Sequence, residues 1–192
     1  KVGKSHFAAT APKSIVVFNL DGGFQRCLGS FPGIKVKTFG AGEVKFEEAA
    51  DIYIIEYDLD FPTLTNIDAK NPFGKDLALR PVYTQFLHNI EQACREPRVK
   101  TLVIDTATIW WELARGAFKE KAGSDSMMAR DYGTPNAEVR AVFNYIRAME
   151  KKTGVEKNLI TIHHNKDIYL NDKATGATMA DGCKHVGKFV DV

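Results

Sequence analysis

"SIVVFNL", residues 14–20, is a short run of apolar and β-branched residues. Pro12 precedes it, and Asp21-Gly22-Gly23 follows with residue types that favour a turn. An apolar run of this length between turn signals is typical of a strand that is buried on both faces of a sheet. We therefore predict a central parallel strand at this position.

Three more runs predict further strands. "TLVIDTATIWW" (101–111) and "NLITIHH" (158–164) have the same apolar character, and the first continues with helical spacing. "ADIYIIEYD", centred on residues 52–57, is a fourth strand whose acidic flanks also allow an edge position. The chain therefore carries enough strands for a central sheet.

Two segments have the periodicity of helices. Apolar residues recur at steps of three and four over residues 82–95 and 137–152. Pro97 ends the first segment, and Thr153-Gly154 caps the second. Strands that alternate with helices predict an α/β fold, with a mostly parallel central sheet flanked by helices and right-handed crossovers.

The remaining segments predict loops and a hairpin. Residues 29–42 and 58–75 are rich in Gly, Pro and Asp and are expected to form loops or small insertions. The C-terminal region predicts a hairpin that turns at Thr175-Gly176, followed by a final strand that reaches Val192. Because a chain seldom stops within a strand, we expect more sequence to follow in the natural protein.

Composition and charge exclude several classes of protein. The 26 Lys and Arg residues nearly balance the 24 Asp and Glu residues, so the bulk charge does not indicate a nucleic-acid or membrane partner. The three cysteines lie far apart, which argues against a disulfide framework or a zinc site. Apolar runs are far shorter than the roughly 20 residues of a membrane span. We predict one soluble, cytoplasmic domain over residues 1–192 without a membrane partner.

Gly3-Lys4-Ser5 matches the second half of a phosphate-binding loop. The whole motif is G-x-x-x-x-G-K-[ST] between a strand and a helix, where backbone N–H groups surround the phosphates and the hydroxyl binds Mg²⁺. Its first Gly would precede Lys1, so we expect that the sequence begins inside the motif. The tripeptide alone is weak support, because these residues are common.

Polar residues at the ends of three predicted strands strengthen this interpretation. Asp105 ends "TLVID", where a carboxylate can hold Mg²⁺; alternatively, Asp105 and Thr106 cap the next helix. Asp21 could orient or deprotonate a water molecule, or could simply serve the turn. His163-His164 could sense a γ-phosphate, or an imidazole could be a satisfied core group. Ligands of α/β sheets bind at these carboxyl ends, so the sequence indicates a nucleotide site.

The order of these elements resembles the RecA-like P-loop ATPases, and more narrowly the compact phage ATP-binding proteins proposed to act in recombination or annealing. "GKSHFAATAPKSIVVFNLDGG" looks like their short P-loop helix and the strand that follows it. "TLVIDTATIWWELA" is similar to their Walker B strand and helix, and "NLITIHHNK" to their phosphate-sensing strand. "YGTPNAEVRAVFNYIRAM" and "GATMADGCKHVGKFVDV" resemble their next helix and their C-terminal hairpin and strand.

The resemblance implies ATP and Mg²⁺ as cofactors and gives the site residues their roles. Lys4 would contact the β- and γ-phosphates, with Gly3 and His6 beside it in the nucleotide site. Ser5 and Asp105 would bind Mg²⁺. Asp21 stands in the place of the catalytic acid, and His164 in the place of the polar sensor; RecA itself carries Glu and Gln at these two positions.

The resemblance also implies single-stranded DNA as a partner, a homo-oligomer in the form of a ring or filament, and a possible single-strand-binding protein partner. For a phage protein, the location would be the cytoplasm of a bacterial host. The loops after the second and third core strands would face the DNA, so the candidate DNA-binding residues are Arg115, Lys119, Lys121, Arg130, Lys166 and Lys173. A solvated charged loop is an equally simple interpretation.

Three functions therefore compete at this stage. The first is an oligomeric ATPase that acts on single-stranded DNA in recombination, annealing or replication. The second is a nucleotide-gated module that binds DNA or a partner without useful turnover, and the third is a small-molecule kinase, for which the sequence offers no Arg-rich lid. The aromatic pair Trp110-Trp111 could stack on bases, but packing is the commoner use of such residues.

Overall fold

The computed structural model describes residues 3–59, 73, 78–124, 126–170 and 173–183. Its centre is a five-stranded parallel sheet in the order β2-β3-β1-β4-β5. The strands are β1 (Ile15–Asn19), β2 (Val36–Gly40), β3 (Ile52–Glu56), β4 (Thr101–Asp105) and β5 (Asn158–Ile162). Two further strands, β6 (Asn165–Leu170) and β7 (Lys173–Ala180), form a separate antiparallel hairpin. The predicted α/β fold with its C-terminal hairpin is confirmed.

Helices cover both faces of the sheet. Their bounds are α1 (Lys4–Ala9), α2 (Gln25–Leu28), α3 (Leu79–Arg95), α4 (Ala107–Ala122) and α5 (Gly133–Thr153), and a 3₁₀ turn (Ala129–Tyr132) precedes α5. Because side chains alternate along a strand, β1 sends Val17 towards α1 and α2 and sends Phe18 towards α3, α4 and α5. The larger apolar core lies on the second face. Among the described residues, no helix is both long and apolar enough to cross a membrane.

An edge strand replaces one of the predicted loops. Residues 29–42 contain β2, which pairs with β3 at one edge of the sheet. Its side chains are half-buried or exposed, and Lys37 lies within it, so the segment lacks the apolar run that marks the central strands. Since β2 takes the edge, β3 is an interior strand, and the edge alternative for residues 52–57 is wrong. The other predicted loop, 58–75, falls almost wholly outside the described residues.

Both long predicted helices begin earlier than their apolar pattern indicated. Pro81 and Pro135 occupy the third position of α3 and α5. The first N–H groups of a helix have no partner within it, so a proline there removes no hydrogen bond. Glu120 of α4 accepts hydrogen bonds from the backbone N–H groups at the start of α3. The predicted cap of α5 is confirmed, because Gly154 is left-handed with φ 68°.

The apolar run at 101–111 divides into a strand and a helix. β4 ends at Asp105, and Thr106 caps α4, since its hydroxyl accepts a hydrogen bond from the Ile109 N–H. Of the two capping residues that the sequence allowed, Thr106 therefore caps and Asp105 does not. Trp110 and Trp111 are buried, 1% and 8% exposed, which confirms that they pack in the core.

The hairpin turns earlier than predicted. Leu170 of β6 pairs with Lys173 of β7, so the strand pairing begins before the predicted turn. Thr175 and Gly176 lie within β7, and the predicted turn there is wrong because the strands extend further than their exposed sequence indicated. The predicted final strand runs to Val192, and residues 184–192 lie outside the described residues.

Candidate active site

The carboxyl ends of three neighbouring strands form the floor of the site. In the parallel register Asn19 of β1 lies between Glu56 of β3 and Asp105 of β4. Residues paired in a parallel sheet point to the same face, and this row follows the positions of Val17 and Val103, which pack on the α1 side. The polar row therefore faces α1.

α1 carries the phosphate-loop residues to this row. Its buried Ala8 and Ala9 pack against the sheet, which leaves the first turn of the helix above the end of β4. There the Ser5 hydroxyl donates a hydrogen bond of 3.0 Å to Asp105 Oδ2. The structure therefore brings together the two residues expected to bind Mg²⁺.

Asp105 has an unusual electrostatic environment. Its side chain is 2% exposed. Burial and then the negative charge of Asp21 raise the pKa of Asp105 to about 6, while the Ser5 hydrogen bond, Lys4 and His164 act in the opposite direction. All four of these neighbours are predicted site residues. Ser5 contacts Asp105 directly, and the charges of the other three lie near enough to act on its pKa.

Lys4 is held at the end of the neighbouring edge strand. Its ammonium group donates a hydrogen bond to the backbone carbonyl of His163, which follows β5. The side chain is exposed, so it can turn away from this acceptor towards a ligand. Gly3 precedes it at the N-terminal end of α1.

Asp21 occupies the turn that follows β1. Its Oδ1 accepts a hydrogen bond of 2.8 Å from the Gly23 N–H, and Gly22 is left-handed with φ 67°. A Cβ at position 23 would lie 2.9 Å from the same oxygen, so glycine lets the carboxylate fold over the turn. Asp21 is therefore both a turn residue and an exposed carboxylate next to Asp105.

The two adjacent histidines have different environments. The His163 ring is half-buried between the Asp181 carbonyl, 2.9 Å from Nδ1, and the Thr161 hydroxyl, 3.3 Å from Nε2. Burial lowers the pKa of His163. The His164 side chain is exposed. His163 is thus the satisfied imidazole, and His164 is the one that can reach a ligand.

The described contact of His6 is aromatic. Its ring packs against Phe31 with the ring centroids 4.6 Å apart and the planes inclined by 37°. The place of His6 in a nucleotide site stays a prediction.

The candidate DNA-binding residues do not share one loop. Arg115, Lys119 and Lys121 lie on α4, so their predicted place in a mobile loop is wrong. The helix extends through all three because its C-terminal cap, the left-handed Gly123, follows Ala122. Arg115 pairs with Glu112 at 2.7 Å and lies over the Tyr132 ring.

The other three candidates lie in separate elements. Arg130 is exposed in the 3₁₀ turn. Lys166 and Lys173 are exposed on the hairpin, where Lys166 pairs with Asp181 at 2.7 Å. Only these last two come from an element that starts directly after His164. Of the candidate DNA-binding residues, these two therefore lie on the element that follows the site in the chain.

Two polar residues near the site carried no prediction. Asn19 is 1% exposed; its Oδ1 accepts a hydrogen bond of 3.3 Å from the Phe24 N–H, and its Nδ2 has no partner among the described residues. Thr108 accepts from the His164 N–H and donates to the Asp181 carbonyl. Asn19 ends the run "IVVFN", so the strand-end rule that selected Asp105 could have found it. Thr108 offered no such signal.

A comparison with protein families agrees with this geometry. A family model described as an AAA domain matches residues 1–181. The chain belongs to the AAA domain family. Membership indicates an AAA-type P-loop ATPase, a class that binds and hydrolyses nucleotides. No curated protein and no solved structure matches the chain significantly.

The donor set fits the Mg²⁺ that AAA domains typically use with their nucleotide. Mg²⁺ prefers oxygen ligands and is usually held by one or two carboxylates together with substrate phosphates. The Ser5 hydroxyl and the Asp105 carboxylate supply such oxygens side by side. Within the described parts of the chain no group of three His, Cys, Asp or Glu side chains could hold a metal alone. The arrangement thus suits a cation that arrives with phosphates.

Proposed function

We propose that this AAA domain binds Mg²⁺-ATP at the cluster around Asp105, hydrolyses it, and acts on single-stranded DNA in the manner of the RecA-like phage proteins it resembles. The observation that carries the proposal is the convergence of Lys4, Ser5, Asp21 and His164 on one buried carboxylate. The four residues come from three parts of the chain. Such convergence at the ends of parallel strands is where α/β proteins bind their ligands.

Each residue would have a distinct task in phosphoryl transfer. Mg²⁺, when bound, supplies charge neutralisation for the β- and γ-phosphate oxygens. Ser5 and Asp105 would hold it, and Lys4 would leave the His163 carbonyl to contact the same phosphates. Asp21 would orient the attacking water and accept its proton, since its carboxylate is exposed beside Asp105. His164 would contact the γ-phosphate as the polar sensor.

The hairpin supports a role on DNA. Every residue of β7 is exposed. Its partner β6 starts just after His164, so a strand of DNA on the hairpin would lie near the nucleotide. Lys166 and Lys173 offer cations for the phosphate backbone. Lone two-stranded hairpins are marginally stable, and a bound strand of DNA or a neighbouring subunit would stabilise this one. A homo-oligomer around DNA would provide both the bound strand and the neighbouring subunit.

One observation favours a second candidate, a nucleotide-gated binding module without turnover. The Asp21 carboxylate already accepts a hydrogen bond from Gly23, as an ordinary turn residue does. For such a module, Asp21→Ala would leave nucleotide-dependent DNA binding intact. There would be no ATP hydrolysis for the substitution to abolish.

The deciding experiment measures ATP hydrolysis by the natural full-length protein with and without single-stranded DNA. Lys4→Ala is compared with Lys13→Ala, a surface lysine that pairs with Asp51 away from the cluster. We expect DNA-stimulated turnover that Lys4→Ala abolishes and Lys13→Ala retains. ATP binding without turnover would select the gated module, and absence of ATP binding would reject both candidates.

A further inference from the structure

A single buried hydroxyl holds both legs of the β6–β7 hairpin. Thr108, in the first turn of α4, is 8% exposed. Its hydroxyl oxygen accepts a hydrogen bond of 3.0 Å from the His164 N–H, where the chain enters the hairpin. The same hydroxyl donates a hydrogen bond of 2.9 Å to the Asp181 carbonyl, where the chain leaves the hairpin. The side chain thus ties the entry and the exit of the hairpin to one point of α4.

The Thr108 hydroxyl is not used by its own helix. Thr106 supplies the N-terminal cap of α4. Threonine hydroxyls within helices often bond the carbonyl of the preceding turn, whereas Thr108 donates to a carbonyl 73 residues further along the chain. Both hydrogen bonds of this side chain therefore serve the hairpin.

Two further features tighten the same junction. The Asp181 N–H donates a hydrogen bond of 2.7 Å to the His164 carbonyl, so the two legs are also bonded to each other. Gly182 follows with φ 135°, and a Cβ there would lie 3.3 Å from Nδ1 of His163. The exit leg therefore has little room to shift. These four residues, His163, His164, Asp181 and Gly182, are called the hairpin base below.

The hairpin strands gain no support from the apolar core. Every described side chain of β6 and β7 is exposed, and in the described part of the chain neither strand contributes to the two apolar clusters. The ion pair of Lys166 is made with Asp181, which belongs to the hairpin base itself. The direction in which the hairpin leaves the domain is therefore set at its base.

The hairpin base also adjoins the candidate active site. Thr108 lies three residues after Asp105, and Lys4 donates a hydrogen bond to the carbonyl of His163. A hairpin fixed at this point has a fixed place relative to the carboxylate cluster. A binding element that is held in one direction loses less conformational freedom when its partner binds, which raises affinity without an additional contact.

We propose that Thr108 is a positioning residue that holds the hairpin in the direction in which it binds its partner strand. The partner is the single-stranded DNA of the proposed function, on which this part of the inference rests. Thr108 is buried and acts only through the hairpin base. Its loss therefore lowers affinity for DNA and leaves the phosphate contacts of Lys166 and Lys173 in place.

The first test measures hydrogen exchange of the hairpin base in the natural full-length protein without ligand. Thr108→Val removes the hydroxyl and keeps the branched shape of the side chain, whereas Thr108→Ser keeps the hydroxyl. Thr101→Val is the matched control, because Thr101 is also buried and donates its hydroxyl hydrogen to the Pro12 carbonyl, away from the hairpin. We expect about tenfold faster exchange in Thr108→Val and nearly normal exchange in Thr108→Ser and Thr101→Val.

The second test measures affinity for a single-stranded oligonucleotide over a range of salt concentrations. Thr108→Val should weaken binding about three- to tenfold at every salt concentration. The slope of log affinity against log salt should stay the same, because that slope reports the number of phosphate contacts. Lys166→Ala combined with Lys173→Ala should reduce the slope instead. The comparison separates lost positioning from lost contacts.

Three results would overturn the proposal: unchanged exchange of the hairpin base in Thr108→Val, faster exchange with unchanged affinity for DNA, or a reduced salt slope in Thr108→Val. If the unaltered protein binds no single-stranded DNA, the DNA part of the proposed function fails, and the exchange rates alone decide whether Thr108 holds the hairpin. If Thr108→Val does not fold, both measurements are made on Thr108→Ala, which also lacks the hydroxyl and has a high helix propensity.

Discussion

Ser5 Oγ lies 3.0 Å from Asp105 Oδ2 and donates a hydrogen bond to it, although the two residues are 100 positions apart in the chain. The bond fixes the first turn of α1 over the end of β4. A hydroxyl and a carboxylate at this distance can become ligands of one cation without a change in the backbone. The pair therefore makes the position of α1 directly relevant to metal binding.

Ser5→Ala should reduce Mg²⁺-dependent nucleotide affinity by roughly 10–100-fold, because one oxygen ligand and the partner of Asp105 are lost together. Titration of a fluorescent ATP analogue with and without Mg²⁺ measures the effect. Ser5→Thr keeps a hydroxyl and should retain most of the affinity. An unchanged Mg²⁺ dependence in Ser5→Ala would exclude Ser5 as a ligand.

Asp105→Asn should stabilise the nucleotide-free protein. The pKa of Asp105 rises on folding from 3.8 to about 6, mainly by burial, so the charged form opposes folding by ~3 kcal/mol once the pH exceeds both values. The variant should therefore gain ~1–3 kcal/mol at about pH 8, and the gain should vanish as the pH falls towards about 4. Urea denaturation at the two pH values measures it. A loss of stability at about pH 8 would contradict the assigned burial cost.

Asp21→Asn should lower the rate of hydrolysis and leave ATP affinity nearly unchanged. The amide oxygen of Asn can still accept the hydrogen bond from the Gly23 N–H, but an amide cannot accept a proton from water, and a general base is commonly worth 10²–10⁴-fold. Single-turnover kinetics and equilibrium binding separate the two effects. Equal losses in affinity and rate would assign Asp21 to binding instead.

Removal of the hairpin lysines should weaken binding of single-stranded DNA. Lys166→Ala with Lys173→Ala removes two exposed cations, so affinity and its dependence on salt should both decrease. Lys45→Ala, an exposed lysine between β2 and β3, is the control. A salt dependence identical to that of the unaltered protein would place the DNA elsewhere.

Lys157 should contribute strongly to stability. Its buried ammonium group donates to the carbonyls of Glu96 at 2.6 Å and Val99 at 2.7 Å, just past the end of α3. Lys157→Met leaves these acceptors without a donor and should cost ~2 kcal/mol in the free energy of unfolding. The exposed Lys152→Met should cost little by comparison. Chemical denaturation of both variants gives the comparison directly.

The central strands were predictable because burial on both faces leaves continuous apolar runs such as "IVVFN". The edge strand β2 was not, because its half-exposed side chains include Lys37. The early start of α3 depends on Glu120, which is 41 residues away from Leu79, and no local pattern encodes such a cap. A cap from a residue far away in the sequence leaves no sign in the apolar periodicity of the helix itself.

The candidate site was predictable where the chemistry lies at strand ends. Asp21 and Asp105 follow apolar runs, and the parallel register brings those ends to the same edge of the sheet. Which histidine faces outward could not be read from "HH", since that depends on Asp181, which lies 18 residues from His163. The helical setting of Arg115 was hidden by its Gly- and Lys-rich sequence.

The contact between Lys4 and the His163 carbonyl has a kinetic consequence. The contact is exposed to solvent and therefore contributes at most ~1 kcal/mol, and any phosphate that recruits Lys4 must first break it. That competition would lower affinity for substrate and product alike, by about fivefold at most on this scale. With Lys4 in the proposed role, the same backbone oxygen that keeps the resting lysine in place would also hasten the departure of spent nucleotide.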